Sequence, residues 1–418
     1  MQADLLVFGA AQLLTLASPD GPKRGKAMRE LGIIADGAVA IRDGRVLAVG
    51  PSSELQSRVH AVHTLDASGR LLMPGFVDPH THLVWAGERA SEFEMRVAGA
   101  SYMAIMAAGG GIMNTVRYSR AASLEDLIAQ TRPRLARMLA HGTTTVEIKT
   151  GYGLNTKDEL KQWAAIRHLQ AETPATLVPT FLGAHAVPAE YRGRTDDYVD
   201  LVVGEMLPAV KGEVRRSEAF PFFCDVFCED GAFSLEQSRR VLETARALGF
   251  GLKIHVDEFK PLGGTRLAVE LGATSADHLV CTPRDEIEAL AESDTIAVAL
   301  PGTPFGLGHH EFSPARAIID AGGTLALATD CNPGTCWCEN MQLMLALACR
   351  YMNMTPAEAI NAATINAAHA VGLGHEVGSL ETGKRADLIL LDVPSYLHLG
   401  YRFGTNLVGK VIVAGQVV

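Results

Sequence analysis

The sequence predicts an α/β fold, in which a barrel of eight parallel strands, each followed by a helix, carries a small β-sandwich-like domain formed from both termini. Two observations predict the barrel. Short β-like segments alternate with helical patterns through the middle of the chain, and no Gly-x-Gly-x-x-Gly loop follows any of them. Such a loop would favour the alternative, a doubly wound open sheet. A third observation, strand-like segments at both ends of the chain, predicts the small domain.

The predicted strands of this TIM-like (β/α)8 barrel are short, apolar and bounded by turn residues. In chain order they are GFVDPHTH (75–82), TTVEIK (144–149), LVPTFLGAH (177–185), FCDVFCE (223–229), GLKIHVDE (251–258), SADHL (275–279), TIAVALP (295–301) and TLALATD (324–330). Several of them end in a histidine or an acidic residue. Because chemistry in such a barrel sits at the carboxyl ends of the strands, these ends are the candidate site.

Capping patterns mark the starts of helices between the strands. A Ser or Thr accepts from the backbone three residues on, and an acidic or amide side chain there reaches back. The pairs are Ser123 with Asp126, Ser234 with Gln237, and Thr355 with Glu358. Pro356 then occupies the first helical position, where a proline is tolerated. These signals predict well-defined helices on the outside of the barrel.

The two chain ends differ from the middle. Residues 1–67 contain GAVAIRDGRVLAVG, which predicts two strands around an Asp-Gly turn. Residues 372–418 contain ADLILLDV and GKVIVAGQVV, which are again strand-like. We therefore predict a composite β-domain of residues 1–67 plus 372–418, with the barrel, residues 68–371, inserted between its halves.

The composition excludes several classes of partner. The chain has 418 residues, of which 48% are hydrophobic and 20% charged, enough for a sizeable core. Its net charge of −10 argues against a nucleic-acid partner, since phosphate backbones require a basic surface. No apolar run reaches the roughly 18 residues that span a bilayer, and the start lacks the basic region of a secretory signal. We expect a cytoplasmic protein without a membrane partner, with its seven cysteines reduced.

The stretch DPHTHLVWAGER places two histidines, His80 and His82, at the end of the first barrel strand. Residues i and i+2 of a strand point to the same face, so both imidazoles are expected to converge on one point. Other strand ends add further histidines and acids, namely His185, His255, Glu258, His278 and Asp330. In a chain with only 14 histidines, this coincidence indicates a metal site rather than scattered surface residues.

The expected metal ligands are His80, His82, His255 and Asp330, three nitrogens and one oxygen that suit zinc or iron. The fourth strand carries no lysine of the kind that bridges two ions in some barrels, so we expect one divalent or trivalent ion per chain. Lys149, at the end of the second predicted strand, could instead bridge two metal ions. The alternative is that it forms a salt bridge or supports the site.

Many stretches resemble the amidohydrolase superfamily. They include PGFVDPHTHLVWAGER, GGGIMNTV, EIKTGYGL, FLGAHAVP, CEDGAFS, GFGLKIHVDEFKPLGG, SADHL, ATDCNPG and MTPAEAINAATINAAHA. The terminal GSLETGKRADLILLD is common across that superfamily, whereas EIKTGYGL and KIHVDEFKPLGG are more specific. Within it, the resemblance is close to the hydrolases of histidine breakdown that open imidazolone rings. It implies a one-metal hydrolase of the cyclic amide of 4-imidazolone-5-propanoate, giving N-formimidoyl-L-glutamate.

The resemblance also implies residues that contact the substrate. Arg89 would pair with the substrate carboxylate, for which a guanidinium fork is well suited. The other implied contacts are Tyr102, Tyr152, His185, Glu258, Asn332, Gly334 and Thr335. The segments over 303–312 and 335–340, with GTPFGLGHHEF and TCWCEN, depart from the expected pattern and put the choice of substrate in doubt.

For catalysis we expect Glu258 to take the proton of the attacking water and deliver it to the departing ring nitrogen. His278 would orient the water or stabilise the oxyanion, and Asp330 is the second possible proton carrier. Two alternatives stay open: a deaminase or other hydrolase acting on a different nitrogen heterocycle, and a catalytically inactive scaffold. The expected partners are a small-molecule substrate with a carboxylate and a second copy of the chain in a homodimer.

Overall fold

Two eight-stranded sheets organise the computed structural model, which describes residues 1–100, 109–214 and 221–418. The strands are β1 (Gln2–Leu14), β2 (Ile33–Arg42), β3 (Arg45–Pro51), β4 (His60–Asp66), β5 (Leu71–Pro74), β6 (Phe76–Asp78), β7 (Thr143–Lys149), β8 (Thr176–Ala184), β9 (Phe223–Cys228), β10 (Gly251–Val256), β11 (Ser275–His278), β12 (Ile296–Ala299), β13 (Leu325–Leu327), β14 (Leu388–Leu391), β15 (Val408–Val413) and β16 (Gln416–Val417).

Helices follow the barrel strands and pack outside them. The α-helices span Ser52–Arg58, Ala90–Val97, Ile112–Ala121, Leu124–Ala140, Thr156–Glu172, Thr195–Leu201, Leu207–Val214, Leu235–Ala247, Gly264–Leu271, Arg284–Glu292, Gly302–Leu307, Ala315–Asp320, Met341–Tyr351, Pro356–Ala362 and Ile365–Ala370. Short 3-10 turns cover Gly25–Arg29, Ala189–Tyr191 and Tyr396–His398, and a π-turn covers Val202–Met206. All three predicted capping boxes form, at Ser123, Ser234 and Thr355. Across the described ranges, no helix combines the length and apolar character that a bilayer crossing requires.

The second sheet is the predicted parallel barrel. Its order runs from β6 to β13 in chain sequence, and every neighbouring pair is parallel. Contacts between the segments that follow the first and last strands close it. Thr81 pairs with Cys331, the backbone NH of His82 donates to Cys331 O at 3.0 Å, and the backbone NH of Asp330 donates to His80 O at 3.1 Å. The predicted (β/α)8 architecture is therefore confirmed.

The first barrel strand is shorter than the sequence pattern indicates. β6 ends at Asp78, so His80 and His82 follow the strand instead of lying on it. Pro79 has no NH to donate to a sheet ladder, which accounts for the early end. Asp330 likewise lies beyond β13, which ends at Leu327. His80, His82 and Asp330 therefore occupy loop backbone at the barrel mouth, where side chains can turn inward, whereas His255 lies on β10.

The first sheet joins the two chain ends. Its order is β16-β15-β14-β5-β1-β2-β3, with β4 paired to the first half of β1. The expected Asp-Gly turn joins β2 to β3, and both Asp43 (φ 52°) and Gly44 (φ 73°) adopt the left-handed backbone that a type I′ turn requires. We still propose one domain of residues 1–67 plus 372–418 and a second of residues 68–371. β5, which lies in the range 68–371, pairs with β1 and β14 in the sheet of the first domain.

Candidate active site

Three imidazoles and a carboxylate meet at the barrel mouth. The Nε2 atoms of His80 and His82 lie 3.6 and 3.4 Å from Asp330 Oδ1. The ring of His255 lies 4.4 Å from that of His80 and 5.5 Å from that of His82, between centroids. The structure therefore gathers all four predicted metal ligands into one cluster.

These side chains fit a metal ion. The Nε2 atoms of His80 and His255 are buried and, among the residues that the structure describes, have no hydrogen-bond partner. Buried polar atoms are rarely left unpaired, so a ligand is expected there. Burial also lowers the pKa of His82 to about 3 and that of His255 to about 4. Both rings are therefore neutral at neutral pH, the form that binds metal.

His278 joins the same cluster from β11. One ligand atom from each of His80, His255 and His278 lies within 4.8 Å of the others, as also holds for His80, His82 and Asp330. His278, which the sequence interpretation assigned to orienting water, is thus also within reach of an ion. Both His278 (φ 81°) and Asp330 (φ 53°) adopt left-handed backbone, a costly conformation for non-glycine residues that concentrates at functional sites.

Asp330 is held in place from one side. Thr303 Oγ1 donates to Asp330 Oδ2 at 2.5 Å, and Asn332 Nδ2 donates to the backbone oxygen of Asp330 at 2.7 Å. Oδ1 is therefore the oxygen that faces the histidines. Thr303 lies in one of the two segments that depart from the expected pattern, and no sequence signal pointed to this contact.

Carboxylates lie behind two of the predicted metal-binding histidines. Asp277 Oδ2 lies 2.6 Å from His80 Nδ1, and Asp225 Oδ2 lies 3.0 Å from His255 Nδ1. A carboxylate at Nδ1 fixes the ring so that Nε2 faces the ion. Sequence interpretation missed Asp225 and Asp277. The available signal was an acidic residue inside an otherwise apolar strand, since such residues are seldom buried unless paired.

Glu258 lies beside His278, with Oε2 3.8 Å from His278 Nδ1. Its side chain is 11% exposed. Burial, followed by the negative charges of Asp330 and Glu229, raises the pKa of Glu258 well above its usual range. A carboxyl group with a raised pKa at the edge of the metal cluster can both accept and donate a proton.

Aromatic rings line the cluster on another side. His185 stacks on His82 with centroids 4.9 Å apart, and its Nδ1 lies 3.0 Å from Gly151 O. Tyr152 is buried, with its ring 5.4 Å from that of His185. Both residues therefore lie beside the histidine cluster, whereas Tyr102 lies outside the described residues.

Arg89 directly precedes the helix Ala90–Val97, and a carboxylate holds its side chain. Its Nε donates to Glu92 Oε2 at 2.9 Å, and Glu92 also accepts from the NH of Gly111 at 3.0 Å. The guanidinium packs on Gly334, where an added Cβ would lie 2.1 Å from Arg89 Nη1. A side chain at position 334 would therefore displace the guanidinium from its present position.

Asn332 shapes the loop that carries Gly334. Its Oδ1 accepts from the NH groups of Gly334 and Thr335, at 2.8 and 2.9 Å. Its Nδ2 also donates to Thr335 Oγ1 at 2.9 Å, so both ends of the amide hold the loop. Asn332 therefore supports the backbone of the loop that carries Gly334 and Thr335, the other two predicted substrate contacts of this loop.

Two cavities are lined by other predicted site residues. One, of about 420 Å³, is lined by Arg89, Arg96, Gly334, Thr335 and Trp337, among others. The other, of about 470 Å³, is lined by Glu258, His278, Thr303, His309 and His310, among others. The two segments that depart from the expected pattern therefore both border the site.

Comparisons with known proteins identify the family of the chain. The amidohydrolase family matches residues 71–418, and an imidazolonepropionase-like composite domain of bacteria matches residues 37–58. A Herpetosiphon aurantiacus protein named imidazolonepropionase is 56% identical, covering 100% of this chain and 97% of that protein. A Symbiobacterium thermophilum protein of the same name is 50% identical, covering 99% and 97%.

Solved structures show the same fold at lower identity. An adenosine deaminase from Xanthomonas campestris with bound zinc is 21% identical with a TM-score of 0.72, covering 100% of this chain and 93% of that one. A guanine deaminase from E. coli is 18% identical with a TM-score of 0.75, covering 99% and 98%. From the extent of the family match and the identity to full-length relatives, the chain belongs to the amidohydrolase family and, within it, to the imidazolonepropionases.

Proposed function

We propose that this chain hydrolyses the cyclic amide of 4-imidazolone-5-propanoate to N-formimidoyl-L-glutamate, a step of histidine degradation. The observation that carries the proposal is the identity of 56% over the full chain to a protein named imidazolonepropionase. A buried cluster of histidines and an aspartate beside an arginine-lined cavity supports it.

One metal ion, zinc or iron, is proposed on His80, His82, His255 and Asp330. When bound, such an ion acts as a Lewis acid that makes water nucleophilic at neutral pH. Contacts of Lys149 favour a single ion, because its Nζ lies 2.7 Å from both Glu147 Oε1 and Asp225 Oδ2. Burial alone would lower the pKa of Lys149, but the surrounding carboxylates raise it. A lysine held as an ammonium is not available as a bridging ligand.

The proton carrier is proposed to be Glu258. It receives the proton of the attacking water and delivers it to the ring nitrogen that leaves, so no net proton is consumed at the side chain. Its raised pKa and its position 3.8 Å from His278 support this role. His278 orients the water or stabilises the negative charge that develops on the ring carbonyl oxygen, and Asp330 is the second candidate carrier.

Arg89 is proposed to bind the propanoate group. Its anchor on Glu92 fixes the Nε side and leaves the terminal nitrogens toward the cavity that Gly334 and Thr335 also line. A fixed guanidinium replaces the water that a carboxylate loses on entering. The remaining proposed substrate contacts are Tyr102, Tyr152, His185, Glu258 and Asn332.

A spectrophotometric assay on freshly prepared 4-imidazolone-5-propanoate tests the proposal. We expect loss of the ring chromophore with N-formimidoyl-L-glutamate as product and no free ammonia. Release of ammonia from this or another heterocycle would instead indicate a deaminase, and no turnover with metal bound would favour a scaffold. A preparation of Asp330→Asn, purified in parallel, controls for contaminating host enzyme.

A cytoplasmic homodimer is the proposed setting. All seven cysteines are free thiols, which suits a reducing compartment. Sedimentation of the purified protein tests the dimer, and a single species of monomer mass over a range of concentrations would contradict it.

A further inference from the structure

A fully buried ammonium lies at the centre of the carboxylates that surround the metal cluster. The side chain of Lys149 has no exposed area, and its Nζ lies 2.7 Å from Glu147 Oε1, 2.7 Å from Asp225 Oδ2 and 3.7 Å from Asp277 Oδ2. β7 supplies the lysine, and β9 and β11 supply the two aspartates across the barrel interior. One side chain therefore ties three strands together directly beneath the site.

Two of these carboxylates are the ones behind the metal histidines. Asp277 Oδ2, the oxygen that faces Lys149, is also the oxygen 2.6 Å from His80 Nδ1. Asp225 Oδ2 is likewise shared between Lys149 Nζ and His255 Nδ1. The position of the ammonium thus decides where each shared oxygen sits, and through it where each imidazole points.

The third carboxylate reaches the segment between His80 and His82. Glu147 Oε2 accepts from the NH of Thr81 at 3.2 Å, and Thr81 Oγ1 donates to Glu147 O at 2.6 Å. Thr81 is the residue between the two histidines. Lys149 is therefore connected to His80 and His255 through one carboxylate each, and to His82 through Glu147 and Thr81.

Charge explains why a lysine is needed at this point. Asp225, Asp277 and Glu147 are fully buried and lie around a common centre. Without a cation between them, like charges in a dry interior repel one another, and the side chains would turn apart or protonate. A side chain that turns away no longer holds Nδ1 of its histidine.

We propose that Lys149 is a positioning residue that sets the affinity of the site for its metal, by holding Asp225, Asp277 and Glu147 where they aim the histidine Nε2 atoms at the ion. The inference rests on the proposed metal site. It assigns Lys149 no contact with substrate or with the reacting atoms.

The barrel offers a matched control. Lys253 is also fully buried, on β10, but its Nζ donates to the neutral Ser275 Oγ at 2.8 Å and Ala370 O at 3.0 Å. Lys253→Met therefore removes a buried lysine from the same barrel without removing the ammonium that Asp225 and Glu147 share.

The experiment measures zinc affinity of the purified full-length protein by competition with a chromophoric chelator. Loss of a partner behind a metal ligand typically weakens metal binding by about 10–100-fold, and we expect a loss of that size for Lys149→Met. Lys253→Met keeps the ammonium between Asp225 and Glu147 but removes a second positive charge near Asp277, so it should weaken zinc binding clearly less than Lys149→Met. The visible spectrum of the cobalt(II)-loaded protein should also change in Lys149→Met, because the ligand geometry changes. Zinc affinity and a cobalt spectrum equal to those of the wild type would overturn the inference.

Two further variants keep the outcome decisive. If Lys149→Met does not fold, Lys149→Gln carries the test, since its amide can donate to the same carboxylates without charge; unchanged zinc affinity would again overturn the inference. His255→Ala separates the two proposals. If zinc binds the wild type and His255→Ala equally, the proposed metal site is wrong. If His255→Ala weakens zinc binding but the Lys149 variants leave it unchanged, only the positioning role of Lys149 is refuted.

Discussion

A single added methyl group at Gly334 tests the proposed carboxylate anchor. The ideal Cβ would lie 2.1 Å from Arg89 Nη1 and 2.9 Å from its Cζ. Ordinary van der Waals contact begins at about 3.4 Å, so the guanidinium must move by about 1.3 Å. Because the far end of an arginine is flexible, we expect Gly334→Ala to fold normally with Arg89 displaced.

The displacement should act on the substrate carboxylate. A misplacement of about 1 Å can cost on the order of 100-fold in rate, and a hydrogen bond to a charged group is worth roughly 1.5–3 kcal/mol. We therefore expect kcat/KM for 4-imidazolone-5-propanoate to fall by about 10–100-fold. An analogue with a neutral group in place of the propanoate should lose much less.

The assay compares both substrates on the wild type, Gly334→Ala and Gly404→Ala. Gly404 is a matched control, since an added Cβ there meets nothing within 4 Å. Unchanged kcat/KM on the acidic substrate, or equal losses on both substrates, would refute the assignment of Arg89 as the carboxylate anchor.

Three further predictions concern single side chains. Glu258→Gln should keep its metal, measured by elemental analysis, but lose about 10²–10⁴-fold in kcat, because glutamine cannot carry a proton; near-normal kcat would move that role to another residue. Arg89→Lys should recover only part of the activity that Arg89→Ala loses on the acidic substrate, since an ammonium cannot form the same two-pronged contact; full recovery in kcat/KM would show that charge alone suffices. Burial alone would raise the pKa of Glu358, but hydrogen bonds from Arg316 and the NH of Thr355 lower it to about 2. The stabilisation is then present above the unfolded pKa near 4.5 and is lost as pH falls toward 2; urea unfolding of Glu358→Gln should show a weaker loss of stability over that range, and an unchanged profile would contradict the pairing.

Much of the fold could be predicted from local patterns. Alternating strands and helices indicated the barrel, and capping residues such as Ser123 and Ser234 marked helix starts that the structure contains. The ends of strands were less predictable. Pro79 stops β6 early, so the convergence of His80 and His82 depends on loop backbone and on the bridge to the last strand, which no local pattern encodes.

The candidate site was predictable where strand ends carry histidines and acids. The carboxylates that support it were not predictable, because Asp225 meets His255 only when their two strands pair, and Asp277 meets His80, 197 residues away, only inside the folded barrel. The approach of Arg89 to Gly334 likewise joins residues that follow the first and the last barrel strand, far apart in sequence. Residue types at strand ends therefore predict the ligands, whereas the contacts that orient them require the three-dimensional structure.

The central claim, metal-dependent opening of the imidazolone ring, is tested most directly by metal titration of the stripped protein. Turnover of 4-imidazolone-5-propanoate is followed as zinc or iron is added back, together with product and ammonia analysis. We expect no turnover without metal, recovery in proportion to added metal up to about one ion per chain, and N-formimidoyl-L-glutamate without ammonia. Full turnover by metal-free protein, or a firm requirement for two ions per chain, would contradict it.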